Sequence, residues 1–113
     1  MIDTPLFVKT HDWNLWLLQR TQRFPKNLRH SYTDRLESLA FDFEDRLLMA
    51  NGARGRERRQ HLEIADTLLV RLRSLLRYAV AWQLLGAAQM RYAAEQLDQL
   101  GRLLGAWLKG TDR

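Results

Sequence analysis

Cysteine is absent from this 113-residue chain, so it holds no disulfide framework, thiolate zinc site or thiol nucleophile. The absence suits a reducing cytoplasm. Proline occurs only twice, at Pro5 and Pro25, which leaves long stretches free to be helical. The histidines are isolated from one another as His11, His30 and His61. None falls in His-Glu-x-x-His, nor in the Glu-x-x-His that di-iron bundles place on their inner faces. Glu57 and His61 stand four apart, as a solvated helix pair does, and no second carboxylate–histidine motif completes a metal shell. Asp42, Glu44 and Asp45 read as a solvated helix face rather than as paired catalytic carboxylates. Gly52–Ala53–Arg54–Gly55 is a turn and not a phosphate loop. The longest apolar stretch, Tyr78 to Ala88, is broken by Gln83 and is too short to span a bilayer. Met1–Ile2–Asp3–Thr4–Pro5 runs into a helix start without the basic-then-apolar pattern of a targeting signal. Neither an enzyme nor a cofactor site is expected.

What the chain does hold is arginine. Lys plus Arg total 18 against 13 Asp plus Glu, a formal charge of +5, and nearly all the cations are arginine. The planar guanidinium fork matches phosphate oxygens, so such a surface favours polyanionic partners; the plainer reading is a surface with a modest positive excess. The charge is unevenly placed. Arg20, Arg23, Lys26 and Arg29 come first, with no acid among them. Asp34, Glu37, Asp42, Glu44 and Asp45 then make an acidic segment relieved by Arg35 and Arg46. Arg54, Arg56, Arg58 and Arg59 follow, opposed by Glu57, and Arg71, Arg73 and Arg77 stand in a stretch without acids.

Four helices are predicted, in one domain covering residues 1–113. Thr4–Pro5 reads as an N-cap followed by proline at the first helical position, opening a helix over about 5–23 that Phe24–Pro25 ends. Leu6, Trp13, Trp16, Leu17 and Phe24 recur along it at roughly helical spacing. A second helix starts at Ser31, where Ser31 and Asp34 resemble a capping box, and Asn51–Gly52 stops it by a left-handed cap. Its apolar positions are Tyr32, Leu36, Leu39, Phe43, Leu47 and Ala50.

The third helix, about 56–84, is long and carries two apolar stripes. One is Leu62, Ala65, Leu69, Leu72, Leu76 and Ala79; the other is Ile64, Leu68, Leu75, Tyr78, Trp82 and Leu85. Together they exceed what a peripheral bundle helix needs. Either the core is generously packed or the second stripe meets another subunit, and the second is favoured. Gly86 marks a tight turn into a fourth helix over about 89–109, with Met90, Ala93, Leu97, Leu100, Leu104 and Trp107 as its stripe and Gly110 as its C-terminal cap. Short connections make an antiparallel up-down-up-down four-helix bundle, an all-α fold.

Two features stand outside that scheme. Arg73 and Arg77 lie one turn apart on the narrow polar strip of helix three, with Arg59, Glu63 and Asp66. They either satisfy the helix dipole, paired with helix-two carboxylates, or form a basic ridge for phosphates or an acidic protein surface. Gly101 and Gly105 sit inside helix four, where each glycine costs roughly 1 kcal/mol relative to alanine. Their spacing suggests the close approach of another backbone, from this bundle or from a second subunit.

Three stretches carry a family resemblance. They are Phe24–Pro25–Lys26 leading into the Ser31 to Leu36 helix start, Leu72 to Ala79 with its Arg-x-x-x-Arg, and Leu100 to Lys109 with its Gly-Arg-x-x-Gly-x-Trp. In this order and spacing the chain resembles the accessory variability determinant (Avd) proteins of diversity-generating retroelements, over nearly its whole length. Ala106 departs from the Gly or Ser often found there. The resemblance implies a non-catalytic four-helix bundle that assembles as a basic homopentamer. It also implies that the bundle partners the retroelement reverse transcriptase and binds template RNA, or cDNA, in mutagenic cDNA synthesis. Arg73 and Arg77 would then belong to the partner surface, with Arg20, Arg23, Lys26 and Arg29 as further candidates. Tyr78, Trp82, Gly101 and Gly105 would pack the oligomer, without a membrane and in the cytoplasm. The runner-up is a related bundle resembling the rRNA intervening-sequence proteins, with an RNA-linked or scaffolding role.

Overall fold

The computed structural model describes residues 4–111; residues 1–3 and 112–113, and the Thr4 side chain with its expected capping contact, lie outside that description. Four long helices make up nearly all of it: α1 (Thr4–Thr21), α2 (Asp34–Gly52), α3 (Gly55–Ala81) and α4 (Ala87–Thr111). There is no strand among the described residues. Each helix packs on the next, and α1 also packs on α4, which closes the ring of four.

Periodicity explains which faces meet. The first α3 stripe, Leu62, Ala65, Leu69, Leu72, Leu76 and Ala79, is buried throughout. It meets Leu6, Trp13 and Leu17 of α1, Leu36, Phe43 and Leu47 of α2, and Leu97, Leu100 and Leu104 of α4 in one core. Truncating any of these leucines to alanine costs about 2–5 kcal/mol, because the cavity left behind collapses only in part. The second stripe divides. Leu68 and Leu85 are buried and Leu75 is half-buried, whereas Ile64, Tyr78 and Trp82 remain exposed.

Polar contacts fix the pairing of the helices. The Asn14 amide donates to the Ala40 carbonyl at 3.2 Å, and the Thr21 hydroxyl donates to Glu37 at 2.6 Å, joining α1 to α2. The Trp13 indole N–H donates to the Ala93 carbonyl at 3.3 Å, and Phe7 meets Trp107 edge-on, joining α1 to α4. Arg58 donates to the Ala50 and Asn51 carbonyls, at 2.9 and 3.4 Å, while its guanidinium lies over the Trp107 ring. One side chain thus satisfies two carbonyls at the end of α2 and touches α4.

Helix ends depart from the sequence expectations. The first helix ends at Thr21, two residues before the expected 23, with turn bonds carrying the chain to Phe24–Pro25, and α2 has no Ser31 cap. Pro25 is extended, a 3₁₀ turn follows over Lys26–Leu28, and a π-helical turn over Arg29–Thr33 runs straight into α2. Ser31 therefore lies within continuous helix, and Asp34 turns its carboxylate to Arg29 and His30 instead. The left-handed residue of the α2–α3 link is Gly55 (φ +54°) and not Gly52, since Arg54 and Ala53 are extended before it.

The third helix stops at Ala81, three residues early. Gln83 takes the left-handed conformation (φ +61°). Its N–H and that of Leu84 then bond the Val80 and Ala79 carbonyls, a Schellman closure with a non-glycine cap. Gly86 serves the start of α4: its N–H donates to the Gln89 side chain, half of a capping box. The fourth helix continues through Gly110 to Thr111, so Gly110 is not its cap.

Candidate functional site

The α3 arginines are not equivalent. Arg73 donates to Asp98 of α4 at 2.8 Å, so its partner is a fourth-helix carboxylate and not one from α2. Arg77 is exposed and makes no hydrogen bond or ion pair with the described residues. Of the expected pair, one arginine is already neutralised and the other is available.

The N-terminal cations divide in the same way. Arg29 donates to Asp34 at 3.0 Å and to Glu37 at 2.8 Å. The π turn explains this spacing, because its wider winding brings residues five apart nearly into line along the helix. Hydrogen bonds from Arg29 hold the Asp34 carboxyl below its ordinary value, and the two carboxylates in turn raise the guanidinium. Arg20 lies over the Trp16 ring, 5.5 Å from its centroid. Arg23 and Lys26 are exposed, and their side chains make no hydrogen bond or ion pair with the described residues.

An open trough of about 620 Å³ runs between α2 and α3, lined by Asp34, Arg35, Ser38, Leu39, Asp42, Arg71, Ser74 and Leu75. A smaller depression shares Ser74 and reaches Arg77, Tyr78 and Ala81. Arg35 and Arg71 were not among the expected site residues. The signal was present, since Arg71, Ser74, Leu75 and Tyr78 recur at three, four and seven and so share one side of α3. Arg71 lines the trough and Arg77 the adjoining depression, which meet at Ser74, and the Ser38 and Ser74 hydroxyls lie among charged groups of both signs.

Tyr78 and Trp82 lie at the end of that surface. Their ring centroids are 5.7 Å apart, and the Trp82 ring stands edge-on to Tyr32 at 5.0 Å. Tyr32 is buried, stacks on Phe24, and donates its hydroxyl to the Leu75 carbonyl. Burial pushes its phenol up to about 12.

Among the described residues no backbone of this bundle closes on the helix-four glycines. A side chain at Gly101 would meet the Arg73 guanidinium at 3.8 Å and Leu69 at 3.9 Å, which is ordinary contact, and Gly105 faces open space. Among the described residues no group of three or more His, Asp or Glu is placed to hold a metal ion, and no helix is long and apolar enough to cross a membrane. In comparisons with known proteins, no family model, curated protein or solved structure matches the chain.

Proposed function

We propose that this chain is a non-catalytic accessory protein of a diversity-generating retroelement, of the Avd type, which binds the element's reverse transcriptase and its template RNA in the cytoplasm. The observation that carries the reading is Arg77: an exposed arginine without a carboxylate partner among the described residues, within the Leu72–Ala79 stretch that resembles the family, in a depression adjoining the trough that Arg71 lines. Charge available at the surface is what a phosphate backbone or an acidic protein face requires.

The bundle in this reading is antiparallel, up-down-up-down. Its cross-helix contacts support that order: Asn14 meets Ala40 and Thr21 meets Glu37, and Arg46 meets His61 while Tyr32 meets Leu75. In each pair, a step forward on one helix is a step back on the other. Val8, Leu15, Phe41, Leu48 and Ile64 stay exposed, and this apolar surface supports assembly into a homo-oligomer, a pentamer by the resemblance.

Binding to the purified reverse transcriptase, measured with and without template RNA, tests the reading. Arg77→Ala should weaken the complex about tenfold or more, in line with truncation of a central interface arginine, and leave helicity unchanged. Arg73→Ala should matter less, because Asp98 already holds that side chain. Equal effects of the two, or none from either, would count against this surface.

A further inference from the structure

The two segments that meet at the Trp82 end of the bundle are acid-free. Residues 20–33 and 77–92 hold Arg20, Arg23, Lys26, Arg29, Arg77 and Arg91, and no Asp or Glu. They are joined by rings: Phe24 stacks on Tyr32, and Tyr32 contacts both Tyr78 and Trp82. Nearby, Arg20 covers Trp16, whose ring lies 5.1 Å from that of Tyr92.

Three of these aromatics keep open faces. Tyr78 is 52 % exposed, Trp82 is 47 % and Tyr92 is 40 %. The first two are seated against the buried Tyr32 on one side, so their orientation is set before anything binds. Arg23, Lys26, Arg77 and Arg91, on the same two segments, are exposed and make no hydrogen bond or ion pair through their side chains with the described residues, and Arg77 borders the same depression as Tyr78. Of the acids just outside the segments, Asp34 and Glu37 are engaged by Arg29, and Glu95, one turn beyond Arg91 on α4, is exposed.

Oriented rings with open faces among unpaired cations match a ligand that has π faces and a chain of negative charge. We propose that this end binds a single strand of nucleic acid, with bases stacked on Trp82 and Tyr78 and the flanking phosphates held by Arg77, Arg23 and Lys26. The proposal rests on the reading of the chain as an RNA partner and adds where on the bundle an unpaired strand is held. A duplex fits less well, because its bases are stacked on one another and offer no free face. A second copy related by a two-fold axis fits poorly too, since it would set this cationic end against itself.

Binding of a labelled single-stranded RNA of about 12 nucleotides, within the usual site size, tests the proposal alongside the same strand annealed to its complement and a DNA of the same sequence. Fluorescence anisotropy reads affinity, while circular dichroism and light scattering read the fold and mass of each variant. The single strand should bind more tightly than the duplex. Trp82→Ala should weaken it about tenfold, as loss of one stacked base does, Tyr78→Ala should do the same while removing less packing, and Trp82→Phe should restore most of the affinity. Single-stranded DNA binding equally well would support recognition through bases and phosphates, and a preference for RNA would support it with 2′-hydroxyl contact added. If no RNA binds, the RNA reading fails and the inference falls with it. If RNA binds, weakens with Arg77→Ala and ignores Trp82 and Tyr78, the RNA reading stands and the stacking site is overturned. A lower mass for Trp82→Ala with RNA affinity unchanged would instead make this end an interface between copies.

Discussion

Arg73 reaches across to Asp98 at 2.8 Å, and the guanidinium passes 3.8 Å from where a side chain on Gly101 would begin. Both members of the pair are partly solvated, so the bridge contributes at most about 1 kcal/mol. The missing side chain at 101 is not required by any close backbone. Gly101→Ala should therefore raise stability by about 0.5–1 kcal/mol through helix propensity, measured by urea denaturation. Gly105→Ala should do the same, with open space around it. A loss of stability or of oligomer mass in either variant would show that another subunit packs on this face.

A buried hydroxyl offers a second test. Thr10 is fully buried, and its Oγ1 has no hydrogen-bond partner among the described residues. An unsatisfied buried hydroxyl costs about 1–3 kcal/mol of desolvation, and valine has nearly the same shape. Thr10→Val should leave the melting temperature unchanged or raise it. A clear drop would mean that the hydroxyl is bonded.

Tyr32 sets the alkaline limit. Burial raises its phenol to about 12, against about 10 in the unfolded chain. Between those values the folded state keeps a proton that the unfolded state has released. Stability from this group is thus complete below about pH 10 and falls as pH rises toward 12. Tyr32→Phe should flatten that decline, at a cost of about 1 kcal/mol near neutrality for the lost bond to Leu75. Equal alkaline slopes in the two proteins would contradict the assignment.

The tautomer of His61 follows from its neighbour. Arg46 Nη1 lies 3.1 Å from His61 Nδ1, and a guanidinium can only donate. Nδ1 must accept, so the neutral ring carries its proton on Nε2, toward Glu57. Long-range nitrogen–proton NMR correlations should show the Nε2–H form, and an Nδ1–H ring would break the α2–α3 contact described here.

The sequence reveals the core well and the surface partners poorly, for physical reasons. A core stripe is a local pattern: Leu62 through Ala79 repeats at helical period, and every member is buried. Helix ends depend on backbone angles that composition only biases. The left-handed positions fall at Gln83 and Gly55, while Gly52 and Gly86 invited other readings. The π turn before α2 leaves no mark in residue types, so Asp34 read as part of a cap when it is the partner of Arg29. Arg73 and Asp98 are 25 residues apart, and their meeting depends on how α3 and α4 are set against each other. For the same reason the exposed Arg71 could not be told from the paired Arg73 before the helices were assembled.

We propose that this bundle serves a retroelement, and the DNA flanking its gene is the decisive test. The reading predicts a neighbouring reverse transcriptase gene and two near-identical repeats that differ from each other at adenines. A gene lying within an rRNA operon, with neither feature beside it, would contradict the claim.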